Sequence, residues 1–149
     1  MQNQDLVEAL AAAVPFNRYL ALEYGTVGPG HAEVRLIDRE EHRNHVGTLH
    51  AGALFSVAEA ASGAAFVAAF AEHLASIVPV VEKAEIRFAA PARGTITAAA
   101  RLTTPAETLL AELDRDGRTR PPVEVRLTDA NGKEVAVMTA LWNVKRRKT

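Results

Sequence analysis

Three polar residues, Asn44, His50 and Glu59, bracket the start of a strongly apolar stretch of the 149-residue chain. Glu59 is the most telling of them. From Ala51 to Ala71 the chain has no Pro and one charge, Glu59, in a run dominated by alanine with apolar residues on every side of a helical projection. Alanine has the best helix propensity, and a helix apolar all round is buried all round. An unpaired buried carboxylate is expensive, so Glu59 needs a reason to be there. One reason is catalytic: a carboxylate acts as nucleophile or general base. The N–H groups left free at the start of such a helix, at Ala51 and Gly52, are fixed donors that polarise a carbonyl. The other reason is structural, an ion pair with a distant arginine such as Arg87. His50 also reads as a hydrogen-bonding residue at the helix start, and Asn44 as a residue that shapes its loop. His42, His45, His50 and Glu59 lack the spacing of a helical or facial metal set, so no metal is expected.

The bulk composition narrows the classes. Hydrophobic residues make up 48% and charged residues 23%, and the net charge is -1, which gives no electrostatic case for nucleic acid. The length fits one domain, residues 1–149, with a substantial core. There are no cysteines, which removes disulfides and thiol catalysis and suits a reducing compartment. Met1–Asp5 lacks a basic region followed by a signal-like apolar core, so a cytoplasmic location is expected. Ala51–Ala71 has the length of a membrane span, but alanines insert poorly and Glu59 at its middle costs ~2.5–3.5 kcal/mol. No membrane association is expected. Lys145–Lys148 reads as a short basic tail, solvent-facing and frayed.

The elements that must position these residues follow from pattern. Asp5–Ala13 reads as a short helix with Asp5 as its N-cap and Pro15 as its stop, and Phe16–Leu20 as a connection. Ala21–Val27 and His31–Ile37 read as strands around the turn Gly28-Pro29-Gly30. After the long helix, Ile77–Ala90 and Thr95–Thr103 read as strands separated by Pro91-Ala92-Arg93-Gly94. Pro105–Asp116 reads as a helix with Thr104 as a cap and Gly117 as a stop. Arg118–Pro122 is a basic connector, and Val123–Thr128 and Lys133–Val144 are strands joined through Asn131-Gly132. Six mostly antiparallel strands with one long apolar helix predict an α+β hotdog architecture: a curved sheet wrapped around the helix, with an extra helix between strands four and five. One open sheet edge predicts pairing between two chains.

The residues around the helix start carry a resemblance. Asn44, five residues, His50-Ala51-Gly52, six residues and Glu59 keep the spacing of a family core that reads Asn, five residues, His-Gly-Gly, six residues, then an acid. Leu54–Glu59 and Ile86–Gly94 are also similar to that family's pattern. Over roughly Ala21–Val144 the chain resembles the hotdog-fold acyl-CoA thioesterases of the PaaI-like family. Ala51 replaces the first glycine of the motif but keeps its N–H, and the Pro105–Asp116 helix lies outside the plain family pattern. The resemblance implies hydrolysis of an acyl-CoA to coenzyme A and a carboxylic acid, with coenzyme A as part of the substrate and no cofactor. Glu59 would be base or nucleophile, Ala51 and Gly52 would donate to the oxyanion, and His50 and Asn44 would orient the thioester and water. A non-catalytic acyl-CoA or lipid-binding hotdog module is the alternative, and it has no need of a carboxylate at Glu59.

Spacing adds a constraint. Glu59 lies nine positions beyond His50, about 13.5 Å of helix rise. Glu59 therefore lies far from the helix start of its own chain. A two-chain site resolves this, with the helix start of one subunit facing Glu59 of the other. The expected assembly is a homodimer, with a dimer of dimers as its extension. Partial burial is expected to raise the pKa of Glu59. Ser76 and Thr48 are candidates for an additional polar contact to substrate, and Arg87 and Arg93 for the phosphates of coenzyme A. Phe55, Phe66, Phe70 and Trp142 read as core or as the lining of an acyl tunnel.

Overall fold

The computed structural model describes residues 3–148. The long apolar run forms helix α3, Ala51–Ala69, and the remaining elements enclose it. Helices α1 (Asn3–Ala13) and α2 (Pro15–Tyr19) precede strands β1 (Glu23–Gly28) and β2 (His31–Leu36). After α3 come β3 (Ile77–Phe88), β4 (Ile96–Leu102), helix α4 (Ala106–Asp116), β5 (Arg118–Thr119), β6 (Pro122–Thr128) and β7 (Glu134–Arg146). The sheet is antiparallel in the order β1-β2-β4-β6-β7-β3, with β5 attached to β7. This is the hotdog arrangement, α+β, with a curved sheet around one central helix.

The alternation along the strands sets which face meets the helix. Val34 pairs with Ala98, Ala98 with Leu127, and Leu127 with Ala136, so one fully buried row crosses four strands. Small residues on α3 (Ala53, Ala58, Ala61, Ala64, Ala65, Ala68) let the sheet close on the helix from several sides. Phe66 fills the remaining space, packed edge-on against Phe70 with ring centroids 6.0 Å apart and against Trp142 at 4.7 Å. Burying that ring contributes ~1.5–3 kcal/mol. Phe66→Ala would cost ~3–5 kcal/mol through the cavity it leaves. By length and composition α3 could cross a membrane, but it is the core helix and 61% of its most apolar window is buried in the protein.

Several boundaries differ from the sequence reading. Asp5 lies inside the first turn of α1, which starts at Asn3, so it is not the N-cap. Phe16–Leu20 is not a plain connection: Pro15 opens α2, and its fixed φ and missing N–H suit the first turn. In α4 the N-cap position is Pro105, with no side-chain cap, so Thr104 does not cap it. Gly117 does stop α4, at φ 70° with its N–H donating to Leu113 O at 2.9 Å. Part of the basic connector, Arg118–Thr119, is a seventh short strand on β7, and Thr119 Oγ1 donates to Glu112 Oε2 at 2.7 Å. The basic tail is not frayed over its first half. β7 continues to Arg146, whose guanidinium binds Asp114, and Arg147 N–H donates to Ser76 O at 2.8 Å.

Candidate active site

The loop before α3 is built by its own polar side chains. Asn44 Oδ1 accepts from the N–H groups of Val46 (3.0 Å) and Thr48 (3.1 Å), while its Nδ2 donates to Thr48 Oγ1 (2.8 Å) and Leu49 O (3.4 Å). Gly47, at φ 81°, lets the chain reverse within this knot. Both atoms of the Asn44 amide are thereby committed to the loop. Thr48 is buried by the same knot, its hydroxyl held by Asn44.

Two further ties hold the loop to its surroundings. His42 is 1% exposed, with Nδ1 2.7 Å from Ile37 O and Nε2 accepting from Arg39 Nε at 3.0 Å. Both ring nitrogens are therefore occupied, which leaves none for a metal. The N–H of Leu49 donates to Ala92 O at 2.9 Å, and Asp38 bridges Arg43 (2.9 Å) and the Gly94 N–H (3.3 Å). The Arg43 guanidinium holds the Asp38 carboxyl below its ordinary pKa.

His50 caps α3. Its φ and ψ of -67° and 141° are non-helical, and its Nδ1 accepts from the Gly52 N–H at 2.8 Å. An accepting Nδ1 fixes the neutral ring as the Nε2–H tautomer, so the exposed edge of His50 presents a donor. This corrects the reading of Gly52 as an oxyanion donor: its N–H is taken by the cap. Its missing side chain still matters, because a Cβ there would stand 3.0 Å from His50 Nδ1. The Ala51 N–H meets no acceptor among the described residues. Ala51 is not among the residues with positive φ, so the alanine sits in the first helical turn without strain.

The helix start opens into a cleft of about 460 Å³ that collects Asn44, Thr48, Ala51 and Arg93, with Phe88 at its side. Glu59 opens into a different cavity, of about 300 Å³, together with Asn17, Tyr24, Phe66 and Trp142. No residue lines both. Glu59 is half-buried, and its carboxylate has no hydrogen bond or salt bridge among the described residues. The structural ion pair with Arg87 is thus not formed. Arg87 lies in a separate groove with Glu85 and Glu134. Burial pushes the Glu59 carboxyl above its ordinary pKa. Burial also raises the Tyr24 phenol, the Asn17 amide at 3.4 Å works against that, and the nearby Glu59 charge adds to it.

The backbone beneath Glu59 is held from β7. Trp142 Nε1–H donates to Ser62 Oγ at 2.9 Å in the core, and Ser62 Oγ donates to the Glu59 carbonyl at 2.7 Å. Trp142, which the sequence reads as core or tunnel lining, is buried and borders the cavity beside Glu59. The sequence does not single out Tyr24 or Asn17, whose only signal is polarity at the join of α1–α2 with β1. Ser76 is a correction. It lies past the end of α3, where its hydroxyl donates to His73 O at 2.9 Å and accepts from Arg146, and it lines neither cavity.

Known proteins with this fold place the chain in context. A Pseudomonas aeruginosa protein of unknown function, described as a probable thioesterase, is 29% identical, with a TM-score of 0.86 over 99% of this chain and 97% of that one. A thioesterase family protein of Silicibacter pomeroyi is 21% identical with a TM-score of 0.79, covering 98% of this chain and 100% of that one. The PaaI protein of the Escherichia coli phenylacetic acid degradation operon is 18% identical with a TM-score of 0.75, covering 98% and 94%, and it shares the hotdog fold. No curated protein matches by sequence. A family model described as a domain of unknown function, DUF4442, matches residues 3–144, and the chain belongs to that family.

Proposed function

We propose that this protein hydrolyses acyl-CoA thioesters at a site made by two copies of the chain. The observation that carries the reading is Glu59, a half-buried carboxylate without a partner among the described residues, on an apolar cavity. Such a group costs stability, and a reacting role accounts for its presence. Relatives described as thioesterases share the fold and cover nearly the whole chain, which supports thioester hydrolysis.

The division of the site between two cavities supports a second copy. β3 is one edge of the sheet, and it exposes Val78, Val80 (55%), Val81 and Phe88. An edge strand that exposes apolar side chains, here interleaved with Glu82, Lys83, Glu85 and Arg87, is a surface for pairing. A two-fold pairing there would bring the helix start of one protomer toward Glu59 of its partner. In that site the Ala51 N–H, backed by the helix dipole, stabilises the oxyanion. Glu59 takes a proton from water as the water attacks the thioester carbon and passes it to the leaving sulfur, so coenzyme A leaves as the thiol; in the covalent variant the carboxylate attacks that carbon, coenzyme A leaves as the thiolate, and water then hydrolyses the acyl–Glu59 anhydride. His50 Nε2–H, on the neighbouring pocket it lines with Gly52 and Phe55, is a second donor at the helix start, and Arg93 at the cleft offers charge to a coenzyme A phosphate.

Glu59→Gln tests the reading. The amide keeps size and polarity but cannot act as base or nucleophile, so kcat should fall ~10²–10⁴-fold on acyl-CoA substrates while the fold persists. Unchanged turnover in a folded Glu59→Gln protein would exclude Glu59 as the reacting carboxylate. A protein that binds acyl-CoA equally well with either residue, and hydrolyses none, would be a binding module.

A further inference from the structure

We infer that the cavity beside Glu59 is the acyl pocket, and that Gly63, Val67 and Trp142 set its depth, so that it takes an apolar acyl group of medium length. The inference rests on the reading of Glu59 as the reacting carboxylate.

The geometry begins one helical turn beyond Glu59. Gly63 and Val67 follow at i+4 and i+8, so all three share one face of α3 and all three line the cavity. The opposite wall is the N-terminal pair of helices, through Leu10 and Val14. Phe66 and Trp142 complete an apolar lining. Trp142 closes the pocket at Gly63. A Cβ at Gly63 would lie 3.3 Å from Trp142 Cζ2 and 3.4 Å from Cη2, so the bare glycine lets the Trp142 ring pack onto the helix there, and a side chain at this position would press the ring toward the cavity. The ring cannot retreat freely, because its Nε1–H is held by Ser62 in the core at 2.9 Å and its face packs on Phe66.

The occupant follows from the carboxylate. A pocket that is apolar except for Glu59, Tyr24 and Asn17 receives the apolar part of whatever reacts at Glu59, and in a thioester that part is the acyl chain. Its volume sets the ceiling. At about 300 Å³ it suits a medium-length acyl chain rather than a long one. Burial in such a pocket favours each added methylene by about fourfold until the space is full.

The experiment is a chain-length series, with acetyl-, hexanoyl-, decanoyl- and hexadecanoyl-CoA assayed on the wild-type protein, Gly63→Val, Val67→Phe and Glu59→Gln. For wild type, kcat/KM should rise by about fourfold per carbon to near decanoyl and drop at hexadecanoyl. In Gly63→Val and Val67→Phe the decanoyl-to-acetyl ratio of kcat/KM should fall at least tenfold. Wild-type turnover of hexadecanoyl-CoA as efficient as that of decanoyl-CoA would overturn the depth limit, and needs no variant. A folded Gly63→Val or Val67→Phe with an unchanged ratio would overturn the pocket assignment, and the second variant serves if the first does not fold. Loss of activity in Glu59→Gln together with either of those results would remove this inference and leave the hydrolase reading standing. Retained activity in Glu59→Gln would remove the hydrolase reading itself.

Discussion

Ala51→Pro removes one hydrogen-bond donor and almost nothing else. Ala51 is the first residue of α3, and its N–H is the backbone donor at the helix start left without an acceptor among the described residues. Proline suits that position, since its missing N–H was never part of the helix ladder and its φ is preset. The preceding residue is compatible too, because His50 already holds φ -67° and ψ 141°, the extended region a following proline demands. Ala51 is exposed, so the ring has space. Melting temperature should therefore stay within a degree or two of wild type. Activity should not. Removing one donor from an oxyanion site costs about 10²–10³-fold in kcat, or ~2.7–4 kcal/mol of transition-state stabilisation. The assay is steady-state release of coenzyme A, with thermal unfolding run on the same samples. KM should move little, since the donor binds the charge that develops in reaction more strongly than the resting carbonyl. A folded Ala51→Pro protein with wild-type kcat would refute the assignment of this N–H to the oxyanion.

Three further outcomes are expected. His50→Asn keeps a good N-cap and should melt within about 2 °C of wild type, whereas His50→Ala loses the cap at a cost of ~1 kcal/mol, or about 2–4 °C; both should lose activity if the Nε2–H matters, and an active His50→Asn would make His50 a cap alone. The folded-state pKa of Glu59 is raised above its unfolded value of 4.5, so the native state holds its proton more tightly and stability falls as pH rises from there through the raised pKa. Melting curves across that range should show this slope in the wild type and a shallower one in Glu59→Gln, while the acidic limb of kcat/KM should lie above the ordinary glutamate value. Val80→Lys places a charge on the exposed β3 edge and should halve the mass seen by light scattering and abolish activity; an active assembly of unchanged mass would mean that β3 is not the pairing edge.

The sequence made the central helix plain for a physical reason. Ala51–Ala69 is apolar on all sides, and that pattern admits only a buried helix with a sheet closed around it. The strands followed from alternation, as in β2, where Ala32, Val34 and Leu36 are buried and Glu33 is exposed. What composition hides is local hydrogen bonding. Asn44 and Gly52 sit at motif positions, yet Asn44 spends its amide on its own loop and Gly52 gives its N–H to His50. Neither choice is encoded in spacing. Ser76, a candidate for a polar contact to substrate, is carried past the end of α3 by the 3-10 turn at Ala71–Ser76. The short α2 was hidden because Pro15 serves equally as the stop of one helix and the first residue of the next. Tyr24 and Asn17 reach Glu59 only through the packing of α1–α2 on the core, a tertiary event without a local signature.

Subunit complementation tests the two-chain site most directly. Glu59→Gln and Ala51→Pro proteins, each inactive alone, are mixed, unfolded and refolded together. If the helix start of one protomer serves Glu59 of its partner, half of the dimers are mixed, and each mixed dimer regains one of its two sites. The mixture should then recover about one quarter of wild-type specific activity by statistical pairing. A mixture as inactive as its components, with mixed dimers present by mass, would contradict a site shared in this way.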